Sequence, residues 1–156
     1  MDLKEQYDKL LRYCYMKTKD LFLAEDIVQE TFLKFWQNYS YKDTGKEMAY
    51  LYTIARNLCM DAFRKKPALN IDDYPDMPAD KSAEPENMID DIAIEEALDT
   101  LPDELREIIV LRYISEMSPS DIGKVCGMSR FSVNRRLKEG LKRLRKVLGG
   151  ESGDDR

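Results

Sequence analysis

An all-α fold of two small helical domains joined by a flexible acidic linker is predicted by three observations. Residues 1–66 hold little glycine or proline, and their apolar residues recur at helical rather than alternating spacing. Between Pro67 and Pro85 lie four of the six prolines among many acids, with Tyr74 the only aromatic, a composition that builds no core of its own. Helical patterning then returns near Asn87 and closes in a basic helix ending at Leu148. The predicted division is a first domain at 1–66, a linker at 67–86, a second domain at 87–148 and a disordered tail at 149–156.

In the first domain the pattern predicts helices over about Leu3 to Lys17, Leu23 to Gln37 and Glu47 to Lys66, with a looser Asn38 to Lys46 before the last. On the second helix Ile27, Val28, Phe32 and Phe35 share one face, which leaves Asp26, Gln29, Glu30 and Leu33 or Lys34 turned outward. Phe32 and Trp36 are both candidates to fill the domain. On the third, Leu51, Ile54, Ala55, Leu58 and Ala62 form the inner stripe. Tyr52, Arg56, Asn57, Asp61, Arg64, Lys65 and Lys66 remain for other faces or for the helix end.

The second domain resumes with a helix that has Pro102 near its start. The segment from Ser118 to Lys138 then reads as two short helical patterns around a glycine. Ser118 suits an N-cap, Pro119 the first helical position, and Asp121, three residues after the cap, the free amides and the dipole. Ile122 and Val125 supply an inner face, and Gly127 supplies the permissive backbone of a tight turn. A further helix is expected after Ser129, with Val133, Leu137, Leu141, Leu144 and Leu148 on one stripe. Its other face is charged: Ser118 to Leu148 contains nine Lys or Arg against two acids. This is a helix-turn-helix pattern, and it points to duplex DNA. In that geometry the first residues of the second helix meet base edges, so Arg130, Phe131, Asn134 and Arg135 are candidate base readers, with Arg136, Lys138 and Lys142 on phosphates. The plainer alternative is a basic solvated helix that ends an ordinary bundle.

A net charge of −5 sits oddly with nucleic-acid binding until it is divided along the chain. Residues 67–99 carry eleven acids and one base, whereas 100–148 carry eleven bases and six acids. Cys14, Cys59 and Cys126 are odd in number, far apart and accompanied by no histidine, so neither a disulfide framework nor a zinc-ligand spacing is available. They read as reduced packing residues of a cytoplasmic protein. No metal and no cofactor are expected. The N-terminus lacks the apolar run of a signal peptide, and no stretch approaches the ~18 apolar residues of a membrane helix, so membrane insertion is not expected.

Three segments together resemble the extracytoplasmic-function (ECF) sigma factors, small members of the bacterial sigma-70 family. Ala24-Glu-Asp-Ile-Val-Gln-Glu-Thr-Phe-Leu-Lys-Phe-Trp is similar to the family's region that grips the clamp helices of RNA polymerase. Ala49-Tyr-Leu-Tyr-Thr-Ile-Ala-Arg-Asn-Leu-Cys-Met-Asp-Ala-Phe-Arg-Lys-Lys is similar to the segment that engages the minus-10 promoter element. The Leu101-Pro102 helix leading into the helix-turn-helix resembles the region that reads the minus-35 element.

The resemblance implies a bacterial subunit that binds core RNA polymerase, recognises both promoter elements, aids strand opening and performs no covalent chemistry. It assigns Asp26, Gln29 and Glu30 to the polymerase contact, where carboxylates and an amide suit a basic partner; without it, the same residues read as a solvated acidic face. It assigns Tyr52, Arg56, Asn57, Asp61, Arg64 and Lys65 to minus-10 DNA, where cations meet phosphates and flat rings meet unstacked bases. A base-capture loop would then lie within 38–46. It also gives the linker acids Asp72, Asp73, Asp76 and Asp80 a second reading beside simple solubility, that of a nucleic-acid mimic in the polymerase's RNA channel. A flexible tether would further permit an anti-sigma factor as partner.

Two departures bear on promoter reading. Phe131-Ser132-Val133 stands where relatives commonly have Gly-Thr-Val, so Phe131 meets a thymine methyl or packs internally. Gly140 stands where alanine is usual, at ~1 kcal/mol of helix propensity. The competing reading is a freestanding helix-turn-helix regulator that binds duplex DNA alone. An enzyme is disfavoured, because histidine is absent and the acids cluster in a tether that could not fix two carboxylates in place.

Overall fold

Asp2 opens the first helix by accepting hydrogen bonds from the amides of Lys4 and Glu5 at 3.1 and 3.3 Å. In the computed structural model, which describes residues 2–38, 46–65 and 92–149, α1 spans Leu3–Thr18, α2 Leu21–Asn38 and α3 Glu47–Arg64. After the second boundary come α4 (Ile92–Asp99), α5 (Asp103–Ile109), a π-helical turn at Val110–Ile114, α6 (Pro119–Cys126) and α7 (Arg130–Gly149). No strand occurs among the described residues. The expected linker at 67–86 and nearly all of the expected capture loop and tail lie outside them. Gly149, expected in the tail, is the last residue of α7.

α1, α2 and α3 pack on one another around Leu10, Tyr13, Cys14, Val28, Leu51 and Tyr52, all fully buried. The predicted inner face of α2 is realised: Ile27, Val28, Phe32 and Phe35 are buried. On α3, Leu51 and Ala55 are buried, with Ile54, Leu58 and Ala62 half-buried against the same core. The rings of Tyr13 and Tyr52 meet edge-on with centroids 5.4 Å apart, a geometry that adds ~0.5–1.5 kcal/mol beyond area burial.

In the C-terminal half, α7 packs across α4, α5 and α6. Arg106 fastens the turn between α4 and α5 by donating to the carbonyls of Leu98 and Leu101 at 3.0 and 2.7 Å. Leu98 lies in the last turn of α4, where its carbonyl also accepts from the Leu101 amide at 3.0 Å. The stripe expected on α7 is buried at Val133 and Leu137 and half-buried at Leu141 and Leu144, whereas Leu148 is exposed.

The two halves are also packed together, α6 against α3 and the π-helical turn against α1. The sequence signalled two domains and gave no sign of this contact. No helix among the described residues is long and apolar enough to cross a membrane.

Candidate nucleic-acid interface

The helix-turn-helix assembles as its punctuation predicts. Ser118 Oγ accepts from the Asp121 amide at 3.1 Å, Pro119 takes the first helical position, and Gly127 ends α6 at φ 74°, the left-handed region. Ser129 repeats the cap for α7, its Oγ accepting from the Ser132 amide at 3.1 Å. The turn also depends on Gly123, which sequence reading passed over: a Cβ there would run into the backbone carbonyl of Met128. Only a glycine lets the start of α7 come so close to α6.

At the N-terminal end of α7, Arg130, Phe131, Asn134 and Arg135 are all exposed, and Lys138 and Lys142 extend the same charged side. Phe131 is 71% exposed and does not pack internally; the Arg130 guanidinium lies 5.4 Å from its ring centroid. Arg135 donates to Ser132 Oγ at 3.3 Å. Arg136 differs from its neighbours, being half-buried with its Nε 3.1 Å from Glu104 on α5.

The residues expected to meet minus-10 DNA do not form one surface. Asn57, Arg64 and Lys65 are exposed, and Asp61 pairs with Arg64. Tyr52 is fully buried between α1 and α3, which corrects its assignment: its ring serves the core. The exposed apolar groups on this side of α3 are Met60 and Phe63, at 40% and 52%. Arg56 is tied down, its Nε donating to Glu107 of α5 at 2.7 Å.

On α2, Asp26, Gln29 and Glu30 are exposed together. Beside them stand three large apolar side chains in water, Phe22 at 62%, Leu33 at 59% and Trp36 at 56%. Positions 22, 26, 29, 33 and 36 follow steps of four and three, so they form one stripe opposite the core face. The signal was present in the spacing, but it was masked by a second apolar stripe on the same helix.

Family models describe the chain in two parts: Sigma-70 region 2 matches residues 3–67, and Sigma-70, region 4 matches residues 91–144. The ECF RNA polymerase sigma factor SigW of Bacillus subtilis is 32% identical over 157 residues, covering 90% of this chain and 83% of that one. The ECF RNA polymerase sigma factor SigE of Mycolicibacterium smegmatis is 28% identical, covering 97% of this chain and 62% of that relative. In three dimensions, the sigma factor RpoE of Bartonella quintana, solved in complex with the anti-sigma factor NepR, superposes with a TM-score of 0.69 at 26% identity over 99% of each chain.

Proposed function

The chain belongs to the extracytoplasmic-function RNA polymerase sigma factors of the sigma-70 family, and from that premise we infer how its surfaces divide the work. It binds core RNA polymerase and directs initiation at promoters by recognising minus-35 and minus-10 elements and aiding strand opening. We read its contribution as binding alone, with the covalent chemistry left to the polymerase. The freestanding regulator gives way, because residues 3–67 match a sigma region where such a regulator would carry a sensor or dimerisation domain.

The α2 stripe is the polymerase contact. Leu33 and Trp36 supply apolar anchors, while Asp26, Gln29 and Glu30 around them meet a basic partner. The N-terminal face of α7 reads the minus-35 element. Arg130 and Arg135 suit guanine edges, Asn134 suits adenine and Phe131 suits a thymine methyl, with Lys138 and Lys142 on phosphates. Asn57, Arg64, Lys65 and, once released, Arg56 serve the minus-10 strand through phosphate and base contacts. The observation that carries this reading is the pairing of an exposed basic α7 face with an exposed apolar and acidic α2 face on one chain. An anti-sigma factor, as found on the Bartonella relative, completes the set of partners.

The test is to add the chain to core polymerase lacking any sigma factor and to select transcribed sequences from a genomic library. Arg135→Ala is expected to weaken minus-35 recognition and leave core binding intact. Asp26→Ala with Glu30→Ala is expected to do the reverse. Failure of the wild-type chain to associate with core would sink the reading, and loss of both activities in both variants would sink the division of surfaces.

A further inference from the structure

A single buried carboxylate joins the two halves of the molecule. Glu107 of α5 is 5% exposed, yet the hydrogen-bond and ion-pair partners of its carboxylate, Tyr13, Arg56 and Lys17, all come from the other half. The Tyr13 hydroxyl donates to it at 2.6 Å and Arg56 Nε at 2.7 Å, and Lys17 Nζ lies 3.4 Å away. Two ion pairs flank this contact, Lys9 with Glu116 at 3.0 Å and Lys19 with Asp99 at 2.8 Å.

The polarity of these crossings is uniform. Lys9, Lys17, Lys19 and Arg56 are cations of the N-terminal half, and Asp99, Glu107 and Glu116 are anions of the C-terminal half. This is unexpected of a half whose residues 100–148 carry eleven bases and six acids. The basic half thus turns acids toward the N-terminal half, and one of them holds Arg56, a cation assigned above to nucleic acid.

We propose that Glu107 is an intramolecular stand-in for DNA phosphate: the halves latch shut on it through Arg56, Lys17 and Tyr13, and closure and minus-10 strand contact compete for Arg56. The chemistry favours such a competition. A carboxylate and a phosphate offer the same paired oxygens to a guanidinium, so one group can replace the other without leaving the cation bare. A buried charge that loses its partners is strongly penalised, so Glu107 opposes opening until another ligand satisfies the cations or the carboxylate reaches water. The inference rests on the minus-10 assignment of Arg56.

The test uses the full chain and two readouts, the radius of gyration from small-angle X-ray scattering and affinity for a short random-sequence single-stranded DNA oligonucleotide. Glu107→Ala is expected to expand the molecule at unchanged helicity. It is also expected to strengthen DNA binding on the order of tenfold, the factor by which a roughly nine-tenths closed population depresses apparent affinity. Arg56→Ala is expected to expand it without that gain, and the double variant to bind like Arg56→Ala. Tyr13→Phe, which alters no charge, is expected to loosen closure to a smaller degree and serves if Glu107→Ala folds poorly. Wild-type compactness in both Glu107→Ala and Tyr13→Phe overturns the latch. Expansion without tighter DNA binding overturns the competition. If Arg56→Ala also initiates normally with core polymerase, the minus-10 assignment fails as well.

Discussion

At the residue scale, Glu107 is governed by opposing forces. Burial alone would raise its carboxyl pKa, but the Arg56 hydrogen bond, the Lys17 charge and the Tyr13 hydroxyl hold it below the ordinary value. The same bond keeps the Arg56 guanidinium charged, and burial with Glu107 nearby pushes the Cys126 thiol up to about 12, so it stays neutral. A carboxylate with a depressed folded pKa contributes stability that is complete above its unfolded value, ~4.3, and is lost as pH falls through the folded value. Closure is therefore expected to be indifferent to pH near neutrality and to weaken only in acid. Scattering profiles along an acid titration check this, with Glu107→Gln showing a flatter response. The two packed glycines make a second prediction. A Cβ on Gly140 would meet the Ile109 side chain at 2.9 and 3.0 Å, a flexible neighbour, whereas one on Gly123 would meet the Met128 backbone carbonyl. Gly140→Ala gains ~1 kcal/mol of helix propensity against its crowding, so its net cost is expected to be small. Gly123→Ala has a rigid obstacle and should lose ~1–3 kcal/mol, and urea unfolding should rank the two in that order. Gly140 reads from sequence as a propensity defect; the approach of α7 to α5 that it permits is a tertiary fact.

At the element scale, legibility followed the period of the pattern. The cap of α6, the start of α7 and the inner faces of α2 and α7 were readable because each arises from neighbours within one or two turns. Tyr52 was misassigned because spacing places it beside the α3 stripe, and the α1 ring of Tyr13, distant in sequence, is what encloses it. Trp36 is the converse case. Its ring stacks on Phe32 with centroids 5.4 Å apart and still leaves 56% of the residue exposed, so an aromatic next to the core is not part of it. Large apolar side chains in water on one stripe mark a docking face. Trp36→Ala is accordingly expected to weaken core polymerase binding at least tenfold, as truncated interface anchors costing ~2 kcal/mol do. Its midpoint of thermal unfolding should move by only a few degrees, since little of the side chain's burial is lost. Equal loss of stability and binding would instead place Trp36 in the fold.

At the scale of the whole molecule, the contact between halves left no trace in the sequence. Its ion pairs join residues 51 to 107 positions apart, and no local period encodes such a pairing. Function nevertheless bounds how long that contact can last. The minus-35 and minus-10 elements lie roughly 25 base pairs apart, on the order of 85 Å along B-form DNA. A packed body of about this size has a radius of gyration of only ~15 Å. With the division of surfaces proposed above, the closed molecule cannot place α7 and α3 on both elements of straight duplex DNA at once, and initiation is expected to require the halves to separate. Tethering them should block it. With Lys9→Cys and Glu116→Cys, whose native side chains lie 3.0 Å apart, a short reducible dithiol cross-linker would hold α1 against the segment that joins the π-helical turn to α6. Cys14 and Cys59 are buried and only Cys126 is half-exposed, so Cys126→Ser completes the design. The cross-linked chain is expected to lose promoter-directed transcription with core polymerase and to regain it on reduction. Undiminished transcription by the fully cross-linked protein would mean that the closed arrangement is already competent.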